Sequence, residues 1–154
     1  MRKLNNPYPP EGYKCFACSP SNPIGLKLEF EEDDEYVWAR WQPGDNFQGY
    51  NNVLHGGIIA TLLDETGAWY VSVKIGTAGV TKTMKVEYHK PVYISKGSVS
   101  IRARMTERDD NLVTIEAELF DLSGQKCAES LSVFFLYPEE IARRRFFYPG
   151  REAF

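Results

Sequence analysis

The fold is decided by residues 51–70, which read NNVLHGGIIATLLDETGAWY. After the turn residues and the His-Gly-Gly, apolar residues recur at the spacing of one helix face: Ile59, Leu62, Leu63, Thr66, Tyr70 and Val73. The opposite side of the predicted helix is apolar as well, at Ile58, Ala60, Ala68 and Val71. A helix that is apolar on most sides is a buried helix, so we predict that this one forms the core of the domain.

Two features of this helix can carry chemistry. Gly56 and Gly57 stand at its predicted start, where free N–H groups and the positive end of the helix dipole face outward. Because glycine has no Cβ, a ligand oxygen can approach the backbone there. Asp64 lies about two turns further in, and a buried carboxylate without a partner is costly unless its pKa shifts. A hydrolytic site needs at least a donor that binds the carbonyl oxygen and a base or nucleophile, and this helix offers both.

His55-Gly56-Gly57, followed by Asp64 nine residues after the histidine, resembles the hotdog-fold acyl-CoA thioesterases of the PaaI-like type. The resemblance extends to CFACSPSNPIGL at 15–26, to FQGY at 47–50 and to residues 79–92, and it covers residues 15–137. It implies an α+β hotdog fold, in which an antiparallel β-sheet is wrapped around one long central α-helix.

The resemblance also implies roles for four residues. Asp64 is the nucleophile or the general base for water, and the residues do not decide between the two. The Gly56 N–H polarises the thioester carbonyl, and Thr81 faces the site from a strand across the dimer. His55 is a structural or positioning residue of the same motif. Glu65 is the alternative acid, about 100° further round the helix.

The chain departs from the family pattern at one position. Related enzymes carry an Asn or Gln six residues before the histidine, where this chain has Gly49. Nearby amides that a shift of the loop could bring into that place are Gln48, Asn51 and Asn52. We therefore predict a substrate-binding set made of Gly57, Gln48 and Asn52.

The remaining patterns predict two strands before the helix and four after it. The strands are expected at residues 26–30, 36–41, 80–89, 99–105, 112–122 and 126–137. Residues 1–25, which hold five of the nine prolines, are predicted to be an extended N-terminal arm. The hotdog domain takes residues 26–138, and residues 139–154 are a C-terminal tail. Arginines and aromatic residues at 143–148 suit a phosphate-bearing ligand, although such tails also pack on a neighbouring subunit or stay loose.

Composition bounds the class of protein. The 154 residues are 43% hydrophobic and 25% charged, which is typical of one globular domain. A net charge of −3 without a basic run argues against nucleic acid as a partner. No apolar stretch reaches the roughly 18 residues of a membrane span, and no secretory signal precedes the domain, so we expect a cytoplasmic protein without membrane partners.

The cysteines predict no metal site. Cys15 and Cys18 form a C-x2-C pair, but no second pair exists, and His55 and His89 are distant in sequence. We expect a thiol pair in a surface segment.

Together these patterns predict an acyl-CoA thioesterase that needs no metal and no redox cofactor. The family site lies between two subunits, so a homodimer is implied, often paired into a tetramer. Two alternatives stay open. One is a hotdog protein that binds acyl-CoA without hydrolysing it, as a carrier or sensor. The other is a hotdog dehydratase, which is less favoured because no His–Asp or His–Glu pair of that type is present.

Overall fold

The central element of the protein is helix α1, Gly56–Tyr70, in a computed structural model that describes residues 1–154. The helix continues through one wider, π-helical turn at Val71–Ile75 and ends at Gly76, whose φ of 87° is the left-handed conformation that glycine adopts readily at a helix end. The helix therefore begins at the glycine that the sequence predicted. No helix in the protein is both long enough and apolar enough to cross a membrane.

One antiparallel sheet of seven strands surrounds this helix. Its strands are β1 (Arg2–Lys3), β2 (Glu29–Glu32), β3 (Val37–Trp41), β4 (Gly79–Tyr88), β5 (Val99–Asp109), β6 (Leu112–Phe120) and β7 (Lys126–Leu136). Their order across the sheet is β1-β2-β3-β5-β6-β7-β4, and every neighbouring pair is antiparallel. This is the α+β hotdog fold, with one long helix inside an antiparallel sheet, as predicted.

The structure differs from the sequence prediction at both ends of the chain. Strand β1 and a second helix, α2 (Glu139–Phe146), were not predicted, since two residues show no periodicity and α2 carries a run of charged residues. Residues 26–28 do not belong to the first long strand, because Lys27 has a φ of 56°, which no extended strand allows.

Helix α1 lies close against the sheet, in contact with β3 through β7. A Cβ at Gly67 would stand 3.3 Å from the Phe134 ring and 3.4 Å from Ile115, so glycine is what permits this approach. The Trp69 indole stacks on Phe30 with ring centroids 4.0 Å apart. On the other side of the helix, residues 58, 60 and 68 are only half-buried. Part of the apolar surface of α1 is therefore still exposed to solvent in a single chain.

Strand β4 is an open edge of the sheet. It pairs with β7 on one side and with no strand on the other. The strand is ten residues long and exposes large apolar side chains, with Val80 42% and Tyr88 52% accessible. A long edge with unpaired N–H and C=O groups is a template for pairing with another chain.

The two terminal segments fold back onto the domain. In the N-terminal segment, Phe16 and Ala17 accept hydrogen bonds from the N–H groups of Leu26 and Leu28 at 2.8 and 2.9 Å. In the C-terminal tail, Tyr148 is buried and donates to the Ser72 carbonyl oxygen at 2.9 Å. The tail therefore packs on its own chain, and the loose arrangement considered for it is wrong.

Candidate active site

The N-terminus of α1 leaves one backbone donor free. His55 caps the helix, and its Nδ1 accepts a hydrogen bond from the Gly57 N–H at 2.8 Å. The N–H groups of Ile58 and Ile59 both donate to the His55 carbonyl oxygen, at 3.0 and 3.1 Å. The Gly56 N–H has no acceptor in the chain. Of the two predicted glycines, Gly56 therefore keeps a donor for a ligand, and the Gly57 N–H is already occupied.

Tyr88 on β4 holds this helix tip in place. Its hydroxyl donates to the Gly56 carbonyl oxygen at 2.7 Å, and a Cβ at Gly56 would contact the Tyr88 ring at 3.5 Å. Tyr88 was not predicted as a site residue, because the alternating pattern of β4 indicates which face of the strand it lies on but not which part of α1 it contacts.

A cleft of about 310 Å³ opens beside the same tip. It is lined mainly by apolar groups, and the residues are Val53, Leu54, Gly56, Ile59, Tyr88, His89, Lys90, Pro91 and Val92. A larger groove of about 430 Å³ runs along β2 and β3, but it contains none of the predicted site residues. The smaller cleft is thus the one that adjoins the free donor.

Asp64 is paired with Thr81 at the open edge of the sheet. The Thr81 hydroxyl donates to Asp64 Oδ1 at 2.7 Å within one chain. The pairing of β4 with β7 is irregular between Thr81 and Thr83, and such a bulge re-aims the side chains around it. The structure therefore brings two of the predicted catalytic residues together.

Gly56 and Asp64 do not meet within one chain. Asp64 lies eight positions after Gly56 on α1, which corresponds to about 12 Å along the helix axis. A single acyl carbonyl group cannot touch the Gly56 N–H and the Asp64 carboxylate of the same subunit.

The loop before α1 uses two of the predicted amides internally. Gln48 Oε1 accepts from the Asn52 N–H at 3.0 Å, and the Asn52 side chain exchanges two hydrogen bonds of 2.9 Å with Ser95. Gly49 has no side-chain amide. Asn51 is exposed and neither the oxygen nor the nitrogen of its side-chain amide has a partner in the chain, so the whole group is free for a ligand, whereas Gln48 keeps only its Nε2 free.

Glu65 points away from Asp64, towards the N-terminal segment. Its Oε1 lies 3.5 Å from Cys15 Sγ and accepts from the Trp69 indole N–H at 3.2 Å. Burial, reinforced by the Cys15 thiolate, raises the pKa of Glu65 to about 8. Cys18 is buried and Cys15 is half-buried, so the prediction of a thiol pair in a surface segment is wrong.

Comparison with known families gives one clear match. The family model described as "Thioesterase superfamily" matches residues 51–128, which are 78 of the 154 residues. The matched region runs from the turn before α1 into β7 and contains every predicted site residue except Gln48.

Individual relatives agree with this match. A Saccharolobus solfataricus protein named "Putative esterase" is 24% identical over 116 residues, which are 74% of this chain and 76% of that protein. A crystal structure of a thioesterase superfamily protein superposes with a TM-score of 0.70 and 22% identity over 77% of this chain, but the chain spans only 58% of that protein's length.

Two further solved structures share the fold. A Streptococcus mutans protein bound to acetyl CoA has a TM-score of 0.66 and 20% identity, over 73% of this chain and 90% of that one. The E. coli PaaI protein has a TM-score of 0.66 and 16% identity, over 74% of this chain and 82% of that one. At these identities the likeness establishes the hotdog fold.

Proposed function

Because the chain belongs to the thioesterase superfamily, we propose that it hydrolyses the thioester of an acyl-CoA to a free carboxylic acid and CoA. One observation carries the proposal. A free N–H at the positive end of α1 and a carboxylate fixed by Thr81 occupy the same helix, beside an apolar cleft. Backbone donors at a helix N-terminus stabilise the oxyanion that forms when a thioester carbonyl is attacked.

The active site is composed of two subunits. Since about 12 Å separates Gly56 from Asp64 along one helix, the carboxylate that serves Gly56 comes from a partner. Antiparallel pairing of two β4 strands across a two-fold axis would continue the sheet and lay the two α1 helices side by side. The Gly56 end of one helix would then face the Asp64 and Thr81 pair of the other. A pair of such dimers would give the tetramer that the resemblance implies.

In this site the Gly56 N–H receives the negative charge that develops on the carbonyl oxygen. Asp64 either attacks the carbonyl carbon, forming an acyl anhydride that water then cleaves, or removes a proton from the attacking water. Both routes release the CoA thiolate, which then takes up a proton. After single-turnover hydrolysis in ¹⁸O-labelled water, label in the Asp64 carboxylate identifies the anhydride route with attack of water at the Asp64 carbonyl carbon, because general-base hydrolysis places label in the product acid alone.

The cleft beside Gly56 accommodates the apolar part of the substrate. CoA itself is suggested by the acetyl CoA bound to the Streptococcus mutans protein of the same fold. Asn51, whose amide is free, takes the place of the amide missing at position 49. A cytoplasmic location stays a prediction from the sequence.

A panel of acyl-CoA thioesters, both alkyl and aryl, tests the activity through release of free CoA thiol, beside a binding assay on the same compounds. Wild-type protein should release thiol, and Asp64→Asn should bind but lose roughly 10²-fold or more in kcat. Asp34→Asn, an exposed acid in the β2–β3 turn, is the matched control and should be unchanged.

The second candidate function is binding of acyl-CoA without hydrolysis. It is favoured by Gly49, which lacks the family amide, and by the internal use of the Gln48 and Asn52 side chains. Binding across the panel without thiol release from wild-type protein would select this function and refute hydrolysis.

Subunit mixing tests the composite site directly. Gly56→Pro removes the donor and Asp64→Asn removes the carboxylate, so each variant alone should be inactive. In a mixed dimer, one of the two sites receives both intact groups. Random exchange should therefore restore about a quarter of wild-type activity, since half of the dimers are mixed and each has one intact site of two. No recovery after demonstrated exchange, or a monomer in sedimentation at micromolar concentration, would contradict the two-subunit site.

A further inference from the structure

Three groups that commonly bind metals converge on the side of α1 away from Asp64. The thiols of Cys15 and Cys18 and the carboxylate of Glu65 place one ligand atom each within 4.8 Å of one another. Cys15 and Cys18 are not joined by a disulfide. The cluster joins the N-terminal segment to the central helix, across a separation of 50 residues between Cys15 and Glu65.

The backbone between the two cysteines forms a closed turn. The Ser19 N–H closes the turn by donating to the Cys15 carbonyl oxygen at 3.1 Å. This turn keeps the sulfurs of the C-x2-C pair close enough together for both to reach one metal ion.

No cation balances the cluster within the chain. The Glu65 carboxylate is bonded by the Trp69 indole and by the Cys15 thiol, and no lysine, arginine or histidine forms an ion pair with it. Tyr13 completes the surroundings with its hydroxyl 3.4 Å from Cys18 Sγ. A bound divalent cation would supply the counter-charge that these three groups lack within the chain.

We propose that Cys15, Cys18 and Glu65 form a binding site for Zn²⁺. Two thiolates and one carboxylate are a donor set that zinc prefers, and three protein ligands leave the fourth tetrahedral position for water. With zinc about 2.3 Å from sulfur and about 2.0 Å from oxygen, the sulfur–oxygen edge of a tetrahedron is about 3.5 Å. The distance from Cys15 Sγ to Glu65 Oε1 is 3.5 Å.

The zinc site is separate from thioester hydrolysis. Its ligands face the N-terminal segment, whereas Asp64 faces the open edge of the sheet. The ion would fasten residues 13–19 to α1. The sequence pointed away from a metal because the third ligand is a glutamate far along the chain, which no C-x2-C spacing rule anticipates.

Cobalt substitution tests the proposal. Reduced protein is treated with a chelator and titrated with Co²⁺, which shows intense thiolate-to-metal absorption when cysteine sulfur binds it. We expect one equivalent to bind with this absorption and to be displaced by Zn²⁺. Glu65→Gln should weaken the affinity about 10-fold or more, because loss of even an outer partner costs that much. Cys127→Ser, which removes the third cysteine, should bind Co²⁺ as the wild type does.

A measurement on wild-type protein covers the case in which cysteine variants fail to fold. Zn²⁺ should protect Cys15 and Cys18 from alkylation, as mapped by mass spectrometry, and leave the labelling of Cys127 unchanged. Absence of thiolate-to-cobalt absorption, or identical alkylation with and without Zn²⁺, would overturn the proposal. Thiol release from acyl-CoA is measured separately, so failure of either proposal is distinguishable from failure of the other.

Discussion

Gly56→Pro removes the proposed oxyanion donor with little other change to the fold. Gly56 is the first residue of α1, where proline is well tolerated and where the lost N–H has no acceptor in the chain. The preceding residue, His55, already has a ψ of 134°, which is the conformation that proline imposes on its predecessor. A Cβ at position 56 meets the Tyr88 ring at 3.5 Å, an ordinary contact distance.

The expected loss follows from the chemistry of the donor. Removing one oxyanion-hole donor costs about 2.7–4 kcal/mol of barrier, or roughly 10²–10³ in kcat. Gly56→Ala is the matched control, because it adds the same Cβ and keeps the N–H. The assay is kcat/KM for the best acyl-CoA of the panel, with thermal melting to verify that both variants fold as the wild type does.

Two results would refute this reasoning. If Gly56→Pro melts normally and hydrolyses at the rate of Gly56→Ala, the N–H does not hold the carbonyl oxygen. If both variants lose activity equally, the space above Gly56 matters and the donor does not.

Three further changes probe the same structure. Thr81→Val removes the 2.7 Å hydrogen bond to Asp64. Because a hydrogen bond to a charged group is worth about 1.5–3 kcal/mol, kcat should fall roughly 10- to 100-fold while the melting temperature stays the same. An unchanged kcat would contradict a role for this bond in catalysis. Gly67→Val should lower the free energy of unfolding by about 1–3 kcal/mol in denaturant, because the added Cβ would lie 3.3 Å from the Phe134 ring. Equal stability would show that the sheet shifts to make room for the side chain. Although burial works against it, the Lys74 ammonium 2.9 Å away holds the pKa of Glu32 below its ordinary value. Glu32→Gln should therefore lower the unfolding free energy at neutral pH, and the difference should vanish as pH falls through that lowered pKa; a difference independent of pH argues against the ion pair.

The fold could be predicted from the sequence because α1 carries an unbroken apolar period and the later strands alternate. Ile59, Leu62, Leu63 and Thr66 are all buried, as their spacing indicates. The terminal elements could not be predicted in this way. Strand β1 has two residues, and α2 is held by the contacts that Ala142 and Tyr148 make with the domain, which are tertiary and leave little periodicity.

The sequence predicts which residues belong to the candidate site, but not which of them contact one another. The free N–H of Gly56 follows from its place at a helix start, which the sequence shows. The bond between Thr81 and Asp64 depends on an irregularity in β4 that has no sequence signature here. Tyr88 and Glu65 acquired their roles from elements distant in the chain, and such contacts cannot be read from local spacing.

The fluorescence of Trp69 can report on the region around Glu65. Its indole stacks on Phe30, meets the Phe154 ring edge-on at 5.4 Å and donates its N–H to the Glu65 carboxylate. The other two tryptophans lie elsewhere, on β3, so replacing both with phenylalanine would leave one emitter. When a carboxyl group next to an indole gains or loses its charge, the emission wavelength and intensity of the indole change. The protein thus contains an optical reporter at the junction of its N-terminal segment, its C-terminal tail and its central helix.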